Sequence, residues 1–139
     1  MSRSRPVQVA AVAAALAVCA LLTGCVDLHT LGLKHQQEDY ARWADSPKSG
    51  PTAVPTFVPH DASNVYLRTL LHGSGAAITY TSTEPVDTSA CAAGRLTGKP
   101  RLDSNWWPDR KPPATGLVCP GGWQVFDLDG ATYGWRNTP

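Results

Sequence analysis

A short basic start followed by an uninterrupted apolar run constrains this chain most, because it separates a leader from the part that folds. Arg3 and Arg5 lie at the start, and residues 9–22 contain no polar side chain. These 14 apolar residues are too few for a spanning helix, which needs about 20, and they match the hydrophobic region of a signal peptide. Residues 1–24 are therefore predicted to direct export and to be removed.

The leader ends in Leu22, Thr23, Gly24 and Cys25. This order resembles the lipobox of bacterial lipoproteins, in which a leucine, a small or hydroxylated residue, a glycine or alanine and a cysteine follow one another. The resemblance implies cleavage before Cys25, acylation of its thiol and attachment to the extracytoplasmic face of the cell membrane. Two or three acyl chains, at about 0.8 kcal/mol per buried methylene, hold a protein firmly on a bilayer. The alternatives are an ordinary secretory signal with an incidental cysteine, or a short membrane anchor.

The part that remains after cleavage is small and nearly neutral. Removal of 24 of the 139 residues leaves 115, and ten basic side chains then face eleven acidic ones, so the net charge changes from +1 to about −1. This length suits one small domain. No basic run survives, so no nucleic-acid partner is expected.

Two cysteines remain beyond Cys25, namely Cys91 and Cys119. In an exported small domain, such a pair most simply forms one disulfide. Closing a loop of this length adds roughly 3–4 kcal/mol to the free energy of unfolding in the chain-entropy model. A metal site is the alternative, but two thiols without a C-x-x-C pattern support it poorly.

The segment after Cys25 is predicted to be a stalk. Glu38 and Arg42 stand four residues apart, which favours a short helix over residues 33–45. The predicted apolar face of this helix holds Leu33, Tyr40, Ala41 and Ala44. Residues 46–59 contain four prolines, which predicts an extended linker with a reach of about 40 Å.

The remaining residues alternate between strand patterns and turn residues. Residues 65–71 and 76–83 are predicted to form a hairpin. Residues 87–96 are alanine-rich and predict a short helix, and residues 98–122 are expected to be irregular.

The last hairpin is predicted down to its register. Asp129-Gly130 between two apolar runs is the strongest short hairpin signal in the chain. A two-residue loop there pairs Leu128 with Ala131, Phe126 with Tyr133 and Gln124 with Trp135 on one side of the ribbon. The opposite side pairs Trp123 with Arg136, Val125 with Gly134 and Asp127 with Thr132. The first side is more apolar and is expected to meet the core.

Together these elements predict an α+β domain with the order β-β-α-β-β, one antiparallel sheet, one short helix and one disulfide. Residues 1–24 form the signal peptide, residues 25–58 the lipidated tail with its helix and proline-rich linker, and residues 59–139 the globular domain. The last region resembles small lipoproteins of high-GC Gram-positive bacteria, and the resemblance implies architecture and location without an activity. The residues that carry it are Pro59-His60-Asp61-Ala62, Trp106-Trp107-Pro108, the cysteine pair and the Asp-Gly hairpin.

No catalytic, metal-binding or cofactor-binding constellation is predicted. His29, His35, His60 and His72 are scattered and lack the spacing that places two ligands on one metal. His60-Asp61 could orient an imidazole, but a capping or turn role is expected for Asp61. A deep pocket in which His60 or His72 converges with a carboxylate would favour an enzyme.

The tryptophans give the better indication of function. Flat amphipathic rings stack on sugars and anchor interfaces, although a small domain also needs large rings for its core. Adjacent residues in an extended segment point in opposite directions, so Trp106 or Trp107 is expected to be exposed and to form a binding surface. The chain is therefore expected to be a non-catalytic binding module with an unknown protein or cell-wall partner. The alternatives are a binder of cell-wall glycan or of a hydrophobic ligand, and an inhibitor of a secreted enzyme or a small hydrolase.

Overall fold

A single antiparallel sheet of seven strands organises the molecule, in the spatial order β1-β2-β3-β7-β6-β5-β4. The structure, a computed structural model, describes residues 35–71 and 75–137. The strands are β1 (His35–Arg42), β2 (Ser63–Leu70), β3 (Ala76–Thr81), β4 (Ala92–Arg95), β5 (Thr115–Cys119), β6 (Trp123–Leu128) and β7 (Ala131–Arg136). The residues predicted to form the signal peptide and the lipobox with Cys25 lie outside the described residues, as do His29 and His72. No helix within the described ranges has the length and apolarity needed to cross a membrane.

Both predicted hairpins are confirmed. β2 pairs antiparallel with β3, and β6 pairs with β7 in the predicted register, with Phe126 opposite Tyr133 and Gln124 opposite Trp135. Asp129 and Gly130 have φ angles of 52° and 82°. Positive φ at both central residues is the condition for the tight turn that matches the twist of the two strands.

The helix predicted over residues 33–45 is wrong, because residues 35–42 form the edge strand β1. β1 pairs with β2 along its length, with Tyr40 opposite Val65. The Tyr40 hydroxyl donates a hydrogen bond of 2.9 Å to the Thr52 carbonyl oxygen. Only a short 3-10 turn, Trp43–Asp45, follows the strand. The sheet therefore includes residues that the sequence assigned to a stalk.

The proline-rich segment is not an extended spacer, which corrects the second part of the predicted stalk. Phe57 and Val58 are each 1% exposed and belong to the larger core cluster. The Phe57 ring packs edge-on against Trp123 at a centroid distance of 5.6 Å. The end of this segment therefore packs on one face of the sheet.

The helix predicted over residues 87–96 is also wrong. Residues 92–95 form β4, which pairs with β5 with Ala93 opposite Leu117. β5 in turn lies within the segment predicted to be irregular. The protein is therefore mostly β and not α+β, while the single antiparallel sheet and the disulfide are confirmed.

The disulfide joins the residue before β4 to the last residue of β5. Cys91 and Cys119 have Cα atoms 4.2 Å apart, and both side chains are buried in the larger core cluster. The bond therefore closes the outer hairpin of the sheet and encloses the loop between its two strands.

The sheet buries side chains on both faces. The larger cluster contains Val65, Ile78, Trp123 and Val125, under the proline-rich segment. The smaller cluster lies on the other face and contains Leu96, Phe126 and Trp135. The predicted apolar side of the last hairpin therefore meets the smaller cluster, while the opposite side supplies Trp123 and Val125 to the larger one.

Candidate binding site on the aromatic face of the sheet

The smaller cluster is a platform of aromatic rings built on the last hairpin. Phe126 and Tyr133 are cross-strand partners, and their rings stack with centroids 5.5 Å apart. Trp135 is 0% exposed and meets Phe126 edge to face at 6.0 Å. Strand alternation aims these three rings at the same face because the residues lie two apart or directly opposite.

A loop of residues 97–113, here called the tryptophan loop, covers this platform. Trp107 packs edge to face against all three rings, with centroid distances of 6.0 Å to Phe126, 5.7 Å to Tyr133 and 5.9 Å to Trp135. The Trp107 side chain is half-buried. Contacts on several sides leave this ring little rotational freedom, so part of its surface is presented to solvent in a fixed orientation.

The middle of the tryptophan loop is attached to β2. Trp106 stacks on Tyr66 with centroids 6.5 Å apart and planes at 28°. The Arg68 guanidinium donates hydrogen bonds to the Asp103 carbonyl oxygen and to the His35 ring. A third attachment joins Asn137 to the loop, because its side-chain amide donates to the Lys99 carbonyl oxygen at 2.8 Å. The loop is thus held near its start, at Lys99, and in its middle, at Asp103 and Trp106.

A cavity of about 700 Å³ opens within the tryptophan loop. This volume lies within the range of about 300–1,000 Å³ that is typical of small-molecule sites. Its wall combines the Trp107 ring with charged side chains and prolines. The charged lining residues are Lys99, Asp103, Asp109, Arg110 and Lys111.

The cations of the cavity have no partner in the described part of the chain. Lys99, Arg110 and Lys111 are exposed, and no hydrogen bond or ion pair engages their side chains within residues 35–71 and 75–137. The Asp103 and Asp109 carboxylates are likewise without a described partner. Three cations against two carboxylates give the cavity a net charge of about +1.

Buried polar atoms in and beside the loop also lack a hydrogen-bond partner within the described residues. In the loop they are the Ser104 Oγ, which belongs to a residue of the cavity wall, and the Trp106 Nε1; beside it they are the Trp135 Nε1 and the Arg68 Nε. An unsatisfied buried donor costs about 1–3 kcal/mol. A bound molecule or water is the natural partner for such groups.

The structure brings Trp106 and Trp107 together. The sequence predicted that one of the two is exposed, whereas both are half-buried. Their rings lie 6.2 Å apart, and each is half-buried against the sheet. The sequence reasoning missed Lys99, Arg110 and Lys111 as site residues. The available signal was that these three cations flank Trp106-Trp107 and lie close to prolines.

The other two tryptophans pack in or against the larger cluster. Trp123 is 5% exposed and packs in the larger cluster, with the Arg136 guanidinium 5.3 Å from its ring centroid. Trp43 is half-buried between the His60 ring, at 4.0 Å, and the Lys48 ammonium, at 4.5 Å. Neither ring lines the cavity of the tryptophan loop.

A second cavity, of about 580 Å³, contains His60 together with Glu84 and Asp87. This is the juxtaposition that favours an enzyme, but in the described residues no hydrogen bond joins the imidazole to a carboxylate. The Asp87 carboxylate instead accepts hydrogen bonds from the Ser89 hydroxyl and backbone, which lower its pKa. The His60 ring is packed on Trp43. His60 is thus held by a ring contact and Asp87 by Ser89, and neither orients the other in the described residues.

Asp61 has a structural position beside this cavity. Its carboxylate accepts hydrogen bonds from the Ser82 and Thr83 hydroxyls and from the Thr83 and Glu84 backbone nitrogens. These bonds lower the pKa of Asp61 from 3.8 to about 2. Asp61 thus joins the turn before β2 to the loop after β3. The sequence predicted only a capping or turn role within its own segment, whereas these bonds reach residues more than 20 positions away.

Within the described ranges, no group of three or more histidine, cysteine, aspartate or glutamate side chains is placed to hold a metal ion. Comparison of the chain with protein-family models, with curated proteins and with solved structures finds no match in any of the three. The feature of the described residues that suits a ligand best is the tryptophan loop with its cavity.

Proposed function

We propose that this protein is a lipid-anchored binding module of the bacterial cell envelope, held on the extracytoplasmic face of the cell membrane through Cys25. Its ligand site is the cavity of the tryptophan loop, and it acts without catalysis. The leader and the lipobox support the location. The observation that carries the binding function is the fixed, half-exposed Trp107 ring beside a cavity of about 700 Å³.

The rigidity of the loop supports binding over a purely structural role for its rings. Trp107 is held by the three rings of the platform, and the loop is fixed at Arg68 and Asn137. A site ordered before binding loses less conformational entropy when a ligand arrives.

The composition of the wall argues against a purely hydrophobic ligand. Such a ligand would remove water from Lys99, Arg110 and Lys111 without replacing their hydrogen bonds, and unpaired desolvated charges are costly. The aromatic wall with polar groups around it suits a carbohydrate or another polar ring. A wall glycan is therefore the partner that the site favours over a hydrophobic molecule.

Site-directed photo-crosslinking in the native cells tests this function. A benzophenone amino acid replaces Asn105, an exposed residue in the tryptophan loop, and in a matched variant it replaces Thr88, an exposed residue of the loop before β4. We expect sugar-containing adducts at position 105 that are absent at position 88. Identical adducts at both positions, or none at either, would overturn the proposed site.

A further inference from the structure

We propose that the cavity of the tryptophan loop binds an acidic sugar, meaning a sugar ring that carries a carboxylate or a phosphate group. This inference rests on the proposed binding function and specifies its ligand class. It comes from three features of the same cavity: an aromatic wall, unpartnered cations and an unpartnered buried hydroxyl.

The Trp107 ring supplies the surface for the sugar ring. The apolar C–H face of a sugar packs on a flat aromatic ring, while its hydroxyl groups remain at the edge and need polar partners. Trp107 is held by ring contacts at 5.7–6.0 Å, so it is fixed before the ligand binds. The volume of about 700 Å³ leaves room for a sugar ring with its substituents.

The three cations supply the partner for the acid. Arg110 can bind a carboxylate or a phosphate through two parallel N–H donors, and charge-assisted bonds of this kind are about twice as strong as neutral ones. Lys99 and Lys111 add compact positive charges to the same wall. Their side chains have no described partner, so binding an acid breaks no existing ion pair.

The two carboxylates explain why a sugar fits better than a simple anion. Asp103 and Asp109 reduce the net charge of the cavity to about +1, which suits one acidic group and disfavours a polyanion. Carboxylates accept hydrogen bonds from hydroxyl groups. A sugar that carries one acid and several hydroxyls can therefore pair its acid with the cations and its hydroxyls with the carboxylates.

The Ser104 hydroxyl is a further polar group that such a ligand would satisfy. Its Oγ is buried in the cavity wall and has no hydrogen-bond partner in the described residues. A hydroxyl both donates and accepts, so it can pair with a sugar hydroxyl or with the acid. Binding thus removes the cost of an unsatisfied buried group.

Titration calorimetry on the full-length protein in detergent tests the ligand class. The probes are glucuronate for the carboxylate, glucose 6-phosphate for the phosphate, and glucose as the neutral sugar. We expect at least one acidic probe to bind about tenfold more tightly than glucose, the size of one charge-assisted hydrogen bond. Binding of only one acidic probe identifies which acid the site takes.

Charge variants show whether the acid is held by this cavity. Arg110→Gln and Lys111→Gln are each expected to weaken the acidic probe about tenfold and to leave weak glucose binding unchanged. The matched control is Arg42→Gln, at the end of β1, where the arginine is also exposed and does not line the cavity. It is expected to change neither affinity.

The outcomes separate this inference from the proposed function. Equal affinity for glucose and both acidic probes, or an acid preference that survives both cavity variants, overturns the acidic ligand. If none of the probes binds while photo-crosslinks still form only at position 105, the binding function stands and the acidic-sugar inference is wrong. Loss of the position-specific crosslinks is the separate result that overturns the function.

Discussion

The Phe57 ring meets the Trp123 ring edge to face, with centroids 5.6 Å apart and ring planes at 64°. This contact joins the proline-rich segment to β6, at the centre of the larger core cluster. Residues between Pro55 and Pro59 therefore carry part of the core, although their composition is typical of a linker.

Replacement of Phe57 tests this role. Phe57→Ala is expected to lower the free energy of unfolding by about 3–5 kcal/mol, because it leaves a cavity against Trp123. Urea denaturation followed by tryptophan fluorescence measures the change. The control is Thr56→Ala, at an exposed neighbouring position. A Phe57 variant as stable as this control would mean that the segment does not pack on the sheet.

The turn of the last hairpin predicts different effects for two neighbouring positions. Gly130 has a φ of 82°, so Gly130→Ala is expected to cost about 1 kcal/mol through strain in the left-handed region. Asp129 has a φ of 52°, which asparagine tolerates, so Asp129→Asn is expected to leave stability unchanged. Thermal unfolding by circular dichroism compares the two, and equal midpoints would contradict the assigned turn.

The stability of the protein is expected to depend on the protonation of Asp61. Its pKa is lowered from 3.8 to about 2 in the folded protein, so the unfolded chain binds the proton more readily between these values. Stability from this group is therefore present above pH 3.8 and is lost as the pH falls towards 2.

The measurement is the free energy of unfolding of the wild type and of Asp61→Asn between pH 2 and 6. The difference between the two proteins is expected to be largest above pH 4 and to shrink as the pH approaches 2. Asp129→Asn serves as the control, because its carboxylate accepts no hydrogen bond in the described residues. A difference between wild type and Asp61→Asn that stays constant with pH would contradict the role of these hydrogen bonds.

The proposed anchor makes a prediction for two cysteines of the leader region. Cys25→Ala is expected to release the protein from the membrane fraction or to stall its processing, because no acyl chains can then be attached. Cys19→Ala is the matched control, since Cys19 lies within residues 9–22, which the proposed cleavage before Cys25 would remove. Fractionation of cells and medium with immunoblotting measures both, and unchanged membrane association of Cys25→Ala would rule out the lipid anchor.

The parts of the fold that the sequence predicted were those set by local chemistry. Asp129-Gly130 determines a turn and hence a register, and the cysteine pair has one simple partner choice in an exported domain. β1 and β4 were missed because their signals depend on tertiary partners. In β1 only Tyr40 is a large apolar side chain, and in β4 the alanines favour a helix until β5 supplies the pairing.

The candidate site was predicted in part for the same reason. Trp106 and Trp107 were recognisable from their residue type, but the cavity beside them depends on how the tryptophan loop is fixed to β2 and β7. Arg68 and Tyr66 hold the loop from residues more than 30 positions earlier in the chain. Such long-range contacts leave no local pattern in a single sequence.

The Cys91–Cys119 bond has a consequence for resistance to proteolysis, since the tryptophan loop lies inside the covalent ring that it closes. A single protease cut in that loop divides the backbone between β4 and β5, yet the two fragments stay linked through sulfur. They are also held by the pairing of β3 with β7. The most exposed part of the candidate site can therefore be nicked without the molecule coming apart, and the damage would be visible only after reduction.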